Sequence, residues 1–297
     1  MYKDKTIKIM QDIYCENCEK IDYINNLPLT ESGWETLSKS TVVLFTYEAK
    51  SLNVMSDCLN IINELEYKCL YLKYLPMMDE QDLITLYQYH NPIMGIHKNQ
   101  TINQKMIPSM GWPMVRKRFA KPILACMIMG QSNNFAQDIL SKKGSSNPIN
   151  CTNNQIRSMA PTLVHTIMHS SDDMYAVLCE SLLIFGQDPT ISLLNKPEIA
   201  IEMKSIKNKE LLTKYAEFDE YSAYKLEDIL SCARQKVAWM IELMLLNNEK
   251  DNRLEQLLLF LDGNKDAIDF KTLCNLLETY QIVFDISKRE IVESIIY

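Results

Sequence analysis

From Leu52 onward apolar residues return at three- and four-residue steps, and Leu52, Met55, Leu59, Ile62 and Leu65 make one stripe of a helix with polar residues between them. Asp79 has the short acceptor side chain of an N-cap and opens a second helix that the spacing carries to about His90. Further helices are predicted over 114–129, 132–143, 153–169 and 172–185, with the Ser-, Asn- and Pro-containing stretch 144–154 separating the middle two. Asn195 ahead of Pro197 and Glu198 is arranged like a cap and predicts a helix to about Phe218. A longer one, 222–247, carries Leu226, Ile229, Ala233, Val237, Met240 and Met244 on one side, and three short helices follow, with Ser287 and Glu290 as the capping box of the last. Only Thr41–Tyr47, TVVLFTY, has the β-branched and aromatic content of a strand, and a buried extended segment explains it equally well.

The pattern predicts an all-α protein, mainly helical with at most one or two short strands, in two lobes. Residues 1–30 are weakly patterned and read as an N-terminal arm. Two prolines and two glycines between Asn91 and Gly111 mark a loop or subdomain boundary, which gives an N-terminal helical lobe over 31–110 and a central and C-terminal helical region over 111–297. The chain has seven glycines, few for a protein of tight hairpins. Gly130, Gly144, Gly186 and Gly263 each follow an apolar run, where a helix needs a left-handed terminal residue.

Composition narrows the function. The 297 residues are 47% hydrophobic, enough for a sizeable core and against disorder. A net charge of -7 argues against a surface that embraces nucleic acid all round, while leaving room for a local basic groove. Nine irregularly spaced cysteines read as free thiols in a reducing, cytoplasmic setting. The longest apolar stretches, such as 238–246 and 257–261, fall well short of the roughly 20 residues a membrane span needs, so no membrane partner is expected.

Chemistry-bearing residues are sparse. Cys15 and Cys18 form a CxxC, and His165 and His169 stand four apart; both pairs have zinc-ligand spacing, but neither has a second pair nearby. Two thiols in an arm and two histidines on a helix face explain them without metal. Asp188, Glu202 and Lys204 follow the order of a PD-(D/E)xK nuclease, whose carboxylates hold Mg²⁺ while the lysine positions water; the same residues also suit a capped amphipathic helix. There is no GxSxG elbow, no GxxxxGK[ST] phosphate loop and no HExxH. The densest cationic cluster is Arg116, Lys117, Arg118 and Lys121, and Lys142, Lys143 and Arg157 could join it on one wall of a cleft.

The segment from Trp112 to Gly186 resembles the central region of nucleoproteins of segmented negative-strand RNA viruses, the phenuivirus type of bunyavirus. The similar features are a tryptophan ahead of basic residues, an apolar run ending in CMIMGQSNN, a helix closing with SKKG, QIRSMAPTL and VLCESLLIFG. The resemblance implies an all-helical, two-lobed protein that holds RNA between its lobes and oligomerises through an exchanged N-terminal arm. It places Lys142, Lys143 and Arg157 on phosphates and matches the family's arginine after the apolar run only with Gln131.

The first expectation is therefore a non-enzymatic nucleoprotein that coats single-stranded RNA, forms homo-oligomers and uses no cofactor, with Arg116, Lys117, Arg118, Lys121, Lys142, Lys143 and Arg157 on phosphates. The alternatives are a helical protein that binds a protein partner, suggested by its methionines and acidic charge, and a metal-dependent nuclease built on Asp188, Glu202 and Lys204.

Overall fold

The computed structural model describes residues 2–14, 16–88, 112–161, 165–198, 226–247, 250–280, 282, 283 and 292. The chain forms two compact units: Met1–Met159 with Thr166–Tyr221, and Ala160–His165 with Ser222–Tyr297.

The first unit opens with helices α1 (Tyr2–Asp12), α2 (Cys18–Asn25) and α3 (Glu31–Ser38). Strand β1 (Ser40–Phe45) and helices α4 (Tyr47–Ser51) and α5 (Met55–Asn63) come next, then β2 (Lys68–Leu75) and α6 (Glu80–Gln88). After α7 (Trp112–Phe119), β3 (Ile123–Met129) and α8 (Phe135–Lys143), a 3-10 turn at Ile156–Met159 leads to β4 (Met168–Ser170), α9 (Met174–Phe185) and α10 (Gln187–Asn195). The strands form one four-stranded sheet in the order β2-β3-β1-β4. Every pairing is antiparallel: Val43 lies opposite Cys126, and Leu44 opposite His169.

The sheet corrects the expectation of an all-α fold, and its two central strands show why the sequence misled. All six residues of β1 and six of the seven of β3 are buried. A strand covered on both faces has no reason to alternate apolar with polar, so ILACMIM carries no period-two signal and reads as the continuation of a helix. The expected helix over 114–129 is instead α7 followed by β3. Pro122 separates them: it lacks the N–H a helix interior needs and pushes Lys121 out of the helical region. The expected helix over 153–169 is replaced by the 3-10 turn and by β4, whose residues are drawn into the ladder on β1. Asn195 is the last residue of α10, and its amide donates to the Pro28 carbonyl at 2.9 Å and accepts from the Thr30 N–H at 2.9 Å; Pro197 and Glu198, where the next helix is expected to open, are helical. The other predicted elements of this unit lie close to α5, α6, α8 and α9, with Asp79 accepting from the Asp82 N–H at 2.8 Å as a cap should. The boundary 91–111 and most of the helix expected after Pro197 fall outside the described residues.

The main core gathers Met10 of α1, Ile24 of α2, Trp34 and Leu37 of α3, Val42 and Leu44 of β1, Phe119 of α7, Ala125 and Met127 of β3, and Met174 to Cys179 of α9. Each fully buried large side chain contributes about 1.5–3 kcal/mol of transfer free energy. Residues 2–25 thus pack into this core through Met10 and Ile24, with Tyr2, Ile9, Tyr14 and Ile21 against them. Helix α8 ends at Gly144, where φ is +86° and an added Cβ would meet Cys151 Sγ at 2.9 Å.

The second unit contains α11 (Leu226–Leu246), α12 (Asn252–Leu261) and α13 (Phe270–Thr279) around Ala233, Val237, Leu257, Phe260, Leu273 and Leu276. Ser287 and Glu290 fall outside the described residues. Among the described residues no helix is long and apolar enough to cross a membrane.

Candidate functional site

Polar side chains from five elements of the first unit meet beside β4. His169 is the middle residue of that short strand and is buried. Helix α9 begins at Asp173, whose carboxylate accepts from the Ala176 N–H at 2.9 Å, and its second turn carries Glu180 back over β4. His169 Nε2 lies 3.1 Å from both Glu180 carboxylate oxygens, and the Ser171 hydroxyl donates to Glu180 Oε2 at 2.8 Å. A carboxylate accepts and cannot donate, so Nε2 carries a proton directed at Glu180. Nδ1 makes no hydrogen bond among the described residues.

Tyr87, at the end of α6, stands 6.2 Å from the His169 ring, centroid to centroid, and packs edge-on against Phe119. Its hydroxyl is hydrogen-bonded to Arg118, which α7 turns inward until only 5% of its surface is exposed. Arg157 comes from the 3-10 turn, and its buried Nε has no hydrogen-bond partner among the described residues. Burial pushes the Tyr87 hydroxyl's pKa up, while Arg118 and Arg157 pull it down. Burial also lowers the pKa of the Arg157 guanidinium, with Tyr87 and Asp172 opposing and Arg118 reinforcing the shift. These mutual effects place Tyr87, Arg118, Arg157 and Asp172 within electrostatic reach of one another.

Lys143, the last residue of α8, enters from the other side. Its Nζ donates to the Ser170 carbonyl at 3.2 Å and lies 3.9 Å from Asp172 Oδ1, with both side chains 2% exposed. Burial and then Arg157 push its pKa down to about 7, against the pull of Asp172 and Glu180. Gln137 of α8 donates to the Asp172 carbonyl. The N-terminal residues reach the same turn: the Tyr14 hydroxyl donates to Asp173 at 2.9 Å, and the Tyr175 hydroxyl to Glu16 at 2.6 Å. Burial raises the Asp173 pKa to about 6, partly offset by the Ala176 N–H and the Tyr14 hydroxyl.

Of the seven expected phosphate contacts, the structure brings Arg118, Lys143 and Arg157 into this buried centre. Arg116 stays exposed, its Nε 3.2 Å from Glu80, and Lys142 is paired with Glu64. Lys121 is half-exposed, and the Lys117 side chain lies outside the described residues. Asp188 sits in the first turn of α10, while Glu202 and Lys204 lie outside the described residues. Cys18 is exposed at the start of α2 and Cys15 lies outside the described residues. His169 lies in β4 and His165 in the non-helical stretch just before it, so the two do not share the helix face their spacing suggested. No group of three or more His, Cys, Asp or Glu able to hold a metal ion occurs among the described residues.

Sequence reasoning missed His169 as part of a charge cluster, together with Tyr87, Asp172 and Glu180. A signal was present: Glu180 is the lone charge in the apolar run MYAVLCESLLIF, and a charged residue in an otherwise buried helix needs a buried partner. The HSSDD that precedes it offers one.

No family model and no curated protein matches this chain. Among solved structures it is similar to a nucleoside diphosphate kinase from Encephalitozoon cuniculi, with a TM-score of 0.42 and 16% identity over 55% of this chain and 99% of that one.

Proposed function

We propose that the first unit carries out phosphoryl transfer with His169 as the nucleophile. The observation behind this reading is the imidazole whose Nε2–H is held by Glu180, with the Arg118 and Arg157 guanidiniums grouped around Tyr87 beside it. Nδ1 attacks a phosphorus of a phosphoanhydride; the N–P bond forms, the P–O bond breaks, and the electron pair leaves on the departing phosphate oxygen. Glu180 stabilises the positive charge that develops on the ring, and the two guanidiniums hold the phosphoryl oxygens. An acceptor oxygen then takes the phosphoryl group and restores the neutral imidazole.

Incubation with a γ-³²P nucleoside triphosphate is expected to label the wild-type protein with an acid-labile, alkali-stable phosphate. His169→Asn abolishes the label, and Arg157→Met slows its appearance by about 100-fold. A wild-type protein that takes no label, or label that persists in His169→Asn, overturns the reading.

The coating of single-stranded RNA is the second reading. It is supported by the convergence of Arg118, Lys143 and Arg157, three of the cations expected to bind phosphate. Its mark is an affinity that falls steeply between about 50 and 200 mM salt and depends little on base identity. Binding that ignores salt removes it.

A further inference from the structure

Helix α11 has an apolar face that the core of the second unit does not use. On its inner side Ala233 and Val237 are buried in that core, with Leu230, Met240, Ile241 and Met244 packed partly against it. On the opposite side Trp239 is 58% exposed, Leu243 43% and Leu246 80%. With Leu245, four of the nine exposed large apolar side chains among the described residues lie between Trp239 and Leu246. A helix of a soluble protein that is apolar on its outer side as well as its inner one is covered by a second partner.

The residues bordering this stripe say what that partner is. At about 100° per residue, Cys232, Trp239 and Leu246 fall in line along the helix, with Lys236 about 60° to one side and Glu242 about 60° to the other. Lys236 precedes Trp239 by three residues and Glu242 follows it by three. The face is therefore complementary to itself under a twofold axis through Trp239. An antiparallel second copy sets its Glu242 beside Lys236 and its Lys236 beside Glu242, and lays its Leu246 over Cys232. A parallel copy would set lysine on lysine and glutamate on glutamate. Arg234 does not disturb the pattern, because it turns to the other side and pairs with Asp262 and the Leu261 carbonyl.

We propose that α11 is a homodimer interface: two copies of this chain pair antiparallel through Cys232, Trp239, Leu243 and Leu246, with a Lys236–Glu242 ion pair on each border. The inference goes beyond the chemistry of the first unit and does not depend on it. Trp239 meets its own counterpart on the twofold axis, which takes the largest exposed side chain of the helix out of water. The ion pairs set the direction of the pairing more than its strength.

The test is sedimentation of the full chain, whose assembly at about 100 μM is expected to halve in mass under Lys236→Glu. That variant and Glu242→Lys each place like charges on both borders and weaken association about tenfold. Both changes in one chain restore opposite charges and the wild-type affinity. An equimolar mixture of the two single variants does the same, since each then faces its complement. Trp239→Ala weakens association by about 30-fold. Cross-linking reads the register: Leu246→Cys is expected to form a disulfide with Cys232 of the second copy and to lose it when Cys232→Ser is added. That bond has to be intermolecular, because the two positions lie about 21 Å apart along one helix. A monomeric wild type overturns the inference, as does an assembly that Lys236→Glu and Trp239→Ala leave intact. Charge reversals that neither the double variant nor the mixture repairs overturn it too, and assign the face to a partner of another kind.

Discussion

Two clusters in this molecule join an aspartate to a cation, with opposite physical consequences. On the second unit Asp251 caps α12 and receives both arms of Arg253, with Arg253 Nη2 2.7 Å from Oδ2, while the Tyr280 hydroxyl donates to the same oxygen at 2.7 Å. Hydrogen bonds from Arg253 hold the Asp251 carboxyl well below the usual carboxylate range. In the first unit Asp172 and Lys143 face each other at 3.9 Å with both side chains buried, and desolvation drives the lysine toward neutrality. The surface cluster gathers donors that the carboxylate wants; the interior cluster holds charges that the fold would sooner discharge. A charge kept against its solvation cost is weak evidence for stability and better evidence for chemistry.

The largest expected effect comes from breaking the interior cluster at its most connected member. Glu180 accepts from His169 and from Ser171 with 1% of its side chain exposed, so Glu180→Ala strands two buried donors. The expected loss is about 3–5 kcal/mol in urea unfolding. A loss below about 1 kcal/mol would place Glu180 in contact with water and dissolve the contrast.

A smaller effect appears in the pH dependence, and its sign separates the clusters. Lys143 has a folded pKa of about 7 against the ordinary lysine value of 10.5, so between those values the unfolded chain binds the proton and the folded one does not. Stability should therefore rise as pH increases from about 7 toward 10, by a few kcal/mol at most, and the full cost applies below 7. Lys143→Met should lose this slope. The Asp251 pKa is depressed, so its contribution is complete above the ordinary carboxylate range and is lost as pH falls through and below it. Urea midpoints of wild type and Lys143→Met across pH 6–10 check the first, and acid unfolding of wild type and Asp251→Asn the second.

The same contrast explains what the sequence could show. Helices α5, α6, α8 and α11 were legible because each has one face toward a core and one toward solvent, which writes a period into the chain; α9 is buried on nearly every side and carries no such period. Strands β1 and β3 are covered on both faces, so only the β-branched residues of TVVLF gave one of them away, and β4 has just three residues. In the centre, Arg118, Lys143 and Arg157 were legible as cations and not as neighbours, because α7, α8 and the 3-10 turn are separate in sequence and are brought together only by the tertiary fold. Tyr87 and Asp172 carry no local mark of their surroundings. Glu180 does, since a lone carboxylate in an apolar helix states that something inside must answer it.

The smallest effect sharpens the comparison from the surface side. Arg253 is 54% exposed, so its pairing with Asp251 is screened and its entropy is the cost of holding a long side chain still. A double-mutant cycle on Arg253→Ala and Asp251→Ala should give a coupling of about 0.2–1 kcal/mol, shrinking in 1 M salt. Asp251→Ala alone should cost more, about 1–2 kcal/mol, because the cap on the Arg253 N–H and the Tyr280 hydroxyl bond go with it. A coupling above about 2 kcal/mol would mean that the exposed pair is as desolvated as the buried one. Burial would then no longer be what distinguishes the two clusters.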